Sequence, residues 1–225
     1  MALWKTDDEL FQLTRRELFP AVVGDVMDKL GLLQQFLPPQ IKPLDPKMIV
    51  IGRAMPVLEA DIADIGADGP GNAFGLLFQA LDSLRRNEVY ICTGASPTYA
   101  LWGGLMSTRA RMLGAAGAVM DGYCRDTNEI LALNYPVFSF GGYAQDQGAR
   151  GKVVDYGAPI EMAGVRIAPG DIVYGDIDGV CIVPRAAEVE VFTGALEKAR
   201  GEQNVRQALE SGMSTVEAFE KFGIM

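Results

Sequence analysis

Between residues 87 and 140 the sequence alternates two kinds of apolar pattern, and this alternation limits the possible folds more than any other feature of the chain. NEVYICTG, the run GAVM at 117–120 and PVFSF each read as a short strand. Segments with helical character separate them, at about 105 to 113 and 127 to 133. Strands joined through helices pair in parallel, by right-handed crossovers, because a tight turn cannot return the chain in the same direction. After Gly141 the character changes. KVVDYGAPIEMAGVRIAPGDIVYGDIDGVCIVP mixes β-rich runs with Gly, Pro and Asp turns, which predicts antiparallel ribbons with PGD and DIDG as hairpin connections.

The flanks complete the layout. Leu10, Leu13, Leu18, Val22, Val26 and Leu30 fall roughly on helical spacing, with a break at Pro20 and a stop at Gly31. An extended, proline-rich connector at 38 to 47 leads into MIVIGRAMPVLEA, which reads as one or two strands. ADIGADGPGN is a loop, and 73 to 86 is a helix whose closing arginines, Arg85 and Arg86, suit the negative end of its dipole. From Arg185 onward, Val189, Phe192, Leu196, Ala199, Val205 and Leu209 predict a terminal helix or pair of helices, although Gly194 and Gly201 each cost ~1 kcal/mol against alanine. No low-complexity linker and no internal repeat interrupts the chain. The expectation is one α+β domain, layered β/β/α, over residues 1 to 225, with a helical segment at about 1–35 and a C-terminal helix at about 186–225.

Composition removes several kinds of function. The 225 residues contain no histidine, so Ser-His-Asp and Cys-His catalysis are excluded, along with the commonest ligand for zinc, copper and nickel. Any metal would be a hard cation on oxygen ligands, such as magnesium or manganese. Cys92, Cys124 and Cys181 are odd in number and far apart, which suggests reduced thiols rather than a disulfide framework. A formal charge of −9 disfavours nucleic acid and anionic membranes as partners. MALWKTDDEL lacks the order of a secretion signal and no apolar run approaches the ~18 residues of a spanning helix, so a cytoplasmic location is expected.

Two stretches at opposite ends of one helix-and-strand unit could carry chemistry: WGGLMSTRARML and GYCRDTNEI. Gly103 and Gly104 precede a helix, so the amides of Gly103, Gly104, Leu105 and Met106 can face an anion with no Cβ in the way. Arg125 can pair with the same anion, and Asp126 can hold a divalent cation through one carboxylate and several waters. Together these groups describe a pocket for an α-keto acid, in which a metal polarises the keto oxygen and stabilises the charge left by carbon–carbon cleavage. Plainer readings stand beside it. An Arg-Asp pair after a strand is also what a solvated turn looks like, and Gly-Gly before a helix is also a tight loop. GADGPGN lacks the Gly-Lys-Ser/Thr of a phosphate loop. Asp61, Asp64 and Asp68 do not match an EF-hand, Cys124 reads as a spectator thiol, and Asp176 and Asp178 read as hairpin-turn residues.

The stretch GGLMSTRARMLGAAGAVMDGYCRDTNEI resembles the family of the regulator of ribonuclease activity A and the class II 4-hydroxy-4-methyl-2-oxoglutarate (HMG/CHA) aldolases. The shared signature is a glycine, twenty residues, Arg-Asp, two residues and an acid, met here by Gly104, Arg125, Asp126 and Glu129. VGDVMDKLG, MIVIGRAMPV, PVFSFGG and EQNVR extend the likeness over about residues 20 to 210. The resemblance implies a swivelling β/β/α fold assembled as a homotrimer or homohexamer, with active sites at subunit interfaces. It implies that Gly103, Gly104, Leu105, Met106 and Arg125 bind pyruvate or the pyruvoyl part of a substrate, and that Asp126 ligates Mg²⁺ or Mn²⁺. Glu202 falls where a glutamate reaches the metal's waters from a neighbouring subunit. Many of the aldolases carry an acid at the position of Gly104; here Asp146 could compensate.

The expected activity is therefore a metal-dependent lyase releasing pyruvate from a 4-hydroxy-2-oxo acid, with oxaloacetate decarboxylation as a side reaction. Two other readings stay open. One is a regulatory binding protein that docks through its acidic surface without turnover. The other is a Schiff-base aldolase, for which Lys152, near an apolar strand start, is the candidate lysine.

Overall fold

The computed structural model describes residues 3–62 and 74–224. In chain order the elements are α1 (Asp7–Glu17), α2 (Pro20–Lys29), β1 (Lys42–Pro43), β2 (Val50–Asp61), α3 (Leu77–Ser83), β3 (Glu88–Thr93), β4 (Ala100–Trp102), α4 (Gly104–Met112), β5 (Gly117–Met120) and β6 (Tyr123–Cys124). There follow α5 (Thr127–Leu133), β7 (Val137–Ser139), β8 (Gly151–Tyr156), β9 (Ile160–Met162), β10 (Val165–Ile167), β11 (Ile172–Asp176), β12 (Gly179–Val183), α6 (Glu188–Glu210) and α7 (Thr215–Phe222).

The main sheet runs β1-β7-β5-β3-β2-β11-β12, with β8 also paired to β2. Its centre, β2 to β3 to β5 to β7, is parallel, as the strand–helix–strand pattern predicts. Alternation along each strand sends neighbouring residues into different cores. Tyr90, Cys92, Ala118 and Met120 pack under α3, α4 and α5, whereas Val89, Ile91 and Val119 face the hairpin of β9 and β10. A third cluster joins α1, α2 and α6 to Ile51, Ile172, Tyr174, Cys181 and Val183. Helices thus cover one layer of strands, which in turn covers another: this is the β/β/α arrangement.

Local features explain the element ends. Thr6 caps α1 by accepting from the Glu9 amide, and Gly31, at φ +78°, ends α2 in the left-handed conformation that glycine adopts freely. The glycines within α6 have a packing reason. A Cβ at Gly194 would lie 3.1 Å from Val26 Cγ1, so glycine lets α2 approach closely. MIVIGRAMPVLEA forms one long strand, bulged between Leu58 and Glu59 where it pairs with β8.

Three expectations need correction. PGD does not join a hairpin: β10 pairs with β9, and β11 with β2 and β12, so the chain changes sheets at residues 169–171. The hairpin lies earlier, at Ala163-Gly164, whose φ values of 50° and 85° match a two-residue turn. Arg85 and Arg86 do not cap α3, because the helix stops at Ser83 and Leu84 turns extended. Finally, α3 begins only at Leu77 rather than at 73, because Gly75, at φ +59°, interrupts helical backbone ahead of it. DIDG does connect β11 to β12, with the Asp176 carboxylate accepting from the Asp178 amide at 2.9 Å. Asp64, Asp68 and the whole ADIGADGPGN loop, residues 63–72, lie outside the described residues. Among the described residues no helix is long and apolar enough to cross a membrane.

Candidate active site

The two stretches singled out from the sequence are brought together by β4 and β6, which pair in parallel with Trp102 opposite Cys124. The Arg125 amide donates to the Trp102 carbonyl at 2.8 Å. Two residues leaving adjacent parallel strands must emerge side by side, so Gly103 and Arg125 meet at one end of this ribbon. Trp102 is fixed from behind: its Nε1 donates to Ser107 Oγ at 2.7 Å, and that hydroxyl donates to the Gly103 carbonyl at 3.1 Å.

Asp126 is the turning point. It sits at φ 58°, ψ 36°, a left-handed conformation costly for most residues but tolerated by aspartate, and it begins α5. Its Oδ2 accepts from the Gly104 amide at 3.0 Å, so the carboxylate caps α4. One amide of the expected anion cradle is therefore already engaged. The amides of Leu105 and Met106, also in the first turn of α4, have no partner among the described residues and remain available to a ligand. Asp126 Oδ1 likewise carries no protein partner among the described residues.

Close approach explains both glycines. A Cβ at Gly103 would lie 2.8 Å from Asp126 Oδ2, and one at Gly104 would collide with Glu129 Oε2. Glu129 therefore occupies the space where a side chain at position 104 would begin. Arg125 is held by Asp146, Nη1 to Oδ1 at 3.0 Å, with Asp126 Oδ2 farther away at 3.8 Å from Nε. All three side chains stay partly exposed.

A cavity of about 280 Å³ opens here. Gly103, Arg125, Asp126, Asp146 and Gln147 form its polar end; Phe74, Leu77, Phe78, Leu101, Trp102 and Met106 form the rest, with Leu105 at the edge. Gln147 reaches behind the wall, where its Nε2 donates to Glu59 Oε2 in a buried contact. Burial pushes the Glu59 carboxyl up to about 8, against the partial offset of that hydrogen bond. Neither Glu59 nor the aromatic wall stood out in the sequence. The bulge in β2 that carries Glu59 has no signature in one sequence, and Phe74 and Phe78 read there as ordinary residues of an amphipathic helix.

Other candidates separate from the site. Glu202 lies on α6 beside Lys198, 3.4 Å away, and does not line the cavity. Lys152 lies on β8 opposite Ala60 and does not line it either. Asp61 is engaged by the Ser96 amide at 3.0 Å and the Tyr99 hydroxyl at 2.7 Å. Cys124 is buried, and burial raises its thiol above the usual range, which suits a spectator. Among the described residues no three His, Cys, Asp or Glu groups converge to hold a metal. Asp126 could still serve as a lone protein ligand, because magnesium and manganese accept one carboxylate when water and substrate complete the shell.

Comparison with known proteins follows the same segment. The sequence model of the RraA-like family, described as Aldolase/RraA, matches residues 21–182. A protein of Halalkalibacterium halodurans, provisionally named a 4-hydroxy-4-methyl-2-oxoglutarate aldolase, is 28% identical over 197 residues, covering 88% of this chain and 87% of its own. Protein DlpA of Legionella pneumophila is 28% identical over 203 residues, 90% of this chain; the chain spans 32% of DlpA's length. A crystal structure from Streptomyces coelicolor, RraAS2, described as an unusual member of the RNase ES inhibitor RraA family, superposes with a TM-score of 0.80 at 22% identity, covering 90% of this chain and 99% of that one.

Proposed function

Because the chain belongs to the aldolase/RraA-like family, we propose that it is a carbon–carbon lyase that cleaves a 4-hydroxy-2-oxo acid to pyruvate and a second carbonyl compound, with Mg²⁺ or Mn²⁺ as cofactor. One observation carries the reading: Arg125, Asp126, Leu105 and Met106 line one cavity, and the amides of Leu105 and Met106 have no partner among the described residues. The provisional aldolase name of the Halalkalibacterium relative supports the same activity class.

In this reading the substrate carboxylate rests on the amides of Leu105 and Met106 and on the Arg125 guanidinium, an arrangement of oriented donors at a helix N-terminus. Asp146 holds Arg125 in place, so little side-chain freedom is lost when the anion binds. Asp126 would hold the divalent ion through its carboxylate, which the Gly104 amide keeps from turning away by donating to Oδ2. When bound, the ion supplies Lewis-acid polarisation of the 2-oxo group. In this reading Asp146, which lines the cavity, takes the proton of the 4-hydroxyl, and Glu129, beside Gly104 but outside the lining, supports it. Oxaloacetate decarboxylation uses the same electron sink and belongs with the proposal. Glu202 could take part only from a second copy, as a homotrimer or homohexamer would supply, and Met112, 78% exposed on α4, fits burial against one.

Pyruvate release from 4-hydroxy-2-oxo acids should stop on treatment with EDTA and return with Mn²⁺, and Asp126→Ala should remove both turnover and the response to metal. Activity that survives chelation, or normal turnover in Asp126→Ala, refutes the reading. The rival, a regulatory binding protein, gains from one observation, the Gly104 amide already occupied by Asp126. Absence of pyruvate from every substrate, together with capture of a basic partner, would establish it instead.

A further inference from the structure

The polar end of the cavity accounts for a 2-oxo acid head but not for the rest of its walls. Beyond Arg125 and Met106 the lining is Phe74, Leu77, Phe78, Leu101 and Trp102. Trp102 is held rigidly by Ser107 and stacks on Tyr135 with ring centroids 6.3 Å apart. Phe74 and Phe78, which also line the cavity, are tilted against each other with ring centroids 5.5 Å apart. Leu77 and Leu101 are buried at its base, whereas Phe78 is 59% exposed and Leu105 84% exposed at its mouth.

Charge limits what can lie along these walls. Among the described lining residues Arg125 is the only cation; it faces two carboxylates, Asp126 and Asp146. It is needed for the head of the substrate. A second carboxylate on the tail would leave water for aromatic and aliphatic walls without a partner, which is among the most costly transfers in protein chemistry. An apolar tail meets the opposite situation, because it covers the accessible surface of Phe74, Phe78 and Met106, which is otherwise wet.

We infer that the substrate of this site carries an uncharged, apolar tail, aryl or branched alkyl, lying against Phe74, Phe78 and Met106. The inference rests on the proposed reading of the head site and deepens it by naming the substrate class. At about 280 Å³ the cavity is near the lower end of small-molecule sites, of roughly 300–1,000 Å³, so one ring or short branched chain beyond the pyruvoyl unit is the size that fits.

The test uses 2-oxo acids that lack the 4-hydroxyl and so cannot be cleaved. Pyruvate, 2-oxoglutarate and 4-phenyl-2-oxobutanoate are titrated by calorimetry into the full chain with saturating Mg²⁺. The phenyl compound should bind at least about tenfold more tightly than 2-oxoglutarate, as burial of a ring implies. Phe78→Arg places a cation on a largely exposed position of the wall and should reduce that ratio or invert it, with light scattering showing an unchanged mass. If pyruvate binds and 2-oxoglutarate equals or exceeds the phenyl compound, the tail inference is overturned and the head site stands. If pyruvate itself fails to bind, both are overturned. A ratio unmoved by Phe78→Arg, or moved only through a change in mass, also overturns the tail assignment.

Discussion

Glu59 offers the sharpest quantitative test of how this structure is held together. Its carboxyl lies on the bulged part of β2, 2% exposed, with Oε2 accepting from Gln147 and Oε1 without a partner among the described residues. The groups that face it are themselves neutral near pH 7: burial drives Tyr90 and Cys92 well above their ordinary ranges, and Tyr99 is raised as well. Asp121, across from Cys92, is held by the Thr93 hydroxyl at 2.7 Å. Among the described residues no cation hydrogen-bonds to Glu59, and burial raises its carboxyl from 4.5 to about 8. The folded chain then keeps a proton that the unfolded chain has lost throughout that interval. Unfolding is favoured increasingly as pH rises through it, by about 1.4 kcal/mol per pH unit. The penalty is absent below about pH 4.5 and reaches about 4–5 kcal/mol above pH 8. Glu59→Gln keeps an oxygen for Gln147 and cannot ionise. Urea unfolding followed by tryptophan fluorescence, at equal protein concentration, should show the two proteins close at pH 5 and the variant more stable by several kcal/mol at pH 8.5. A stability difference that stays constant from pH 5 to 8.5 would refute the argument, since every other titrating group cancels in the comparison.

Three further outcomes follow from close contacts. Gly52→Ala should destabilise the chain by about 1–3 kcal/mol, because its Cβ would strike the Asn87 carbonyl and lie 2.9 Å from Ala116 Cβ and Val89 Cγ2; thermal unfolding measures this. In Gly104→Ala the Cβ would strike the far end of Glu129, which can swing into solvent, and lie 3.2 Å from Asp126 Cβ and 3.3 Å from Glu129 Cβ, so stability should fall by about 1–2 kcal/mol while pyruvate release falls. A large loss of stability in that variant would show that Glu129 is held more firmly than its exposure suggests. Arg125→Lys keeps the charge but loses the planar fork, and should raise KM for the 2-oxo acid by roughly 10- to 100-fold in steady-state assays. An unchanged KM would remove Arg125 from the head site.

The parallel centre of the fold was legible because buried strands and their crossover helices differ in period over enough residues to be told apart. The hairpin at PGD was misplaced for the opposite reason. β10 spans only three residues, too few to show which neighbour it will pair with, and the residues that make the turn, Ala163 and Gly164, include an alanine at positive φ that no turn rule favours. The site divides along the same line. Arg125, Asp126 and the glycines were visible as residue types, yet what joins them is β4 and β6, strands of three and two residues with no periodicity to read. Contacts across long separations were invisible for a different reason: Gln147 and Glu59 are 88 positions apart, and nothing in either local sequence names the other.

Asp126 shows why such a site persists once formed. A left-handed aspartate costs of order 1 kcal/mol by itself and would relax if its surroundings allowed. Here its carbonyl accepts from the Glu129 and Ile130 amides at 3.0 and 3.1 Å, and its carboxylate accepts from the Gly104 amide at 3.0 Å. Relaxing the backbone would therefore uncap two helices at once, at a cost of about 1 kcal/mol or more for each. The strained conformation is the stable one, and it leaves the second carboxylate oxygen of a cavity-lining residue without a partner among the described residues.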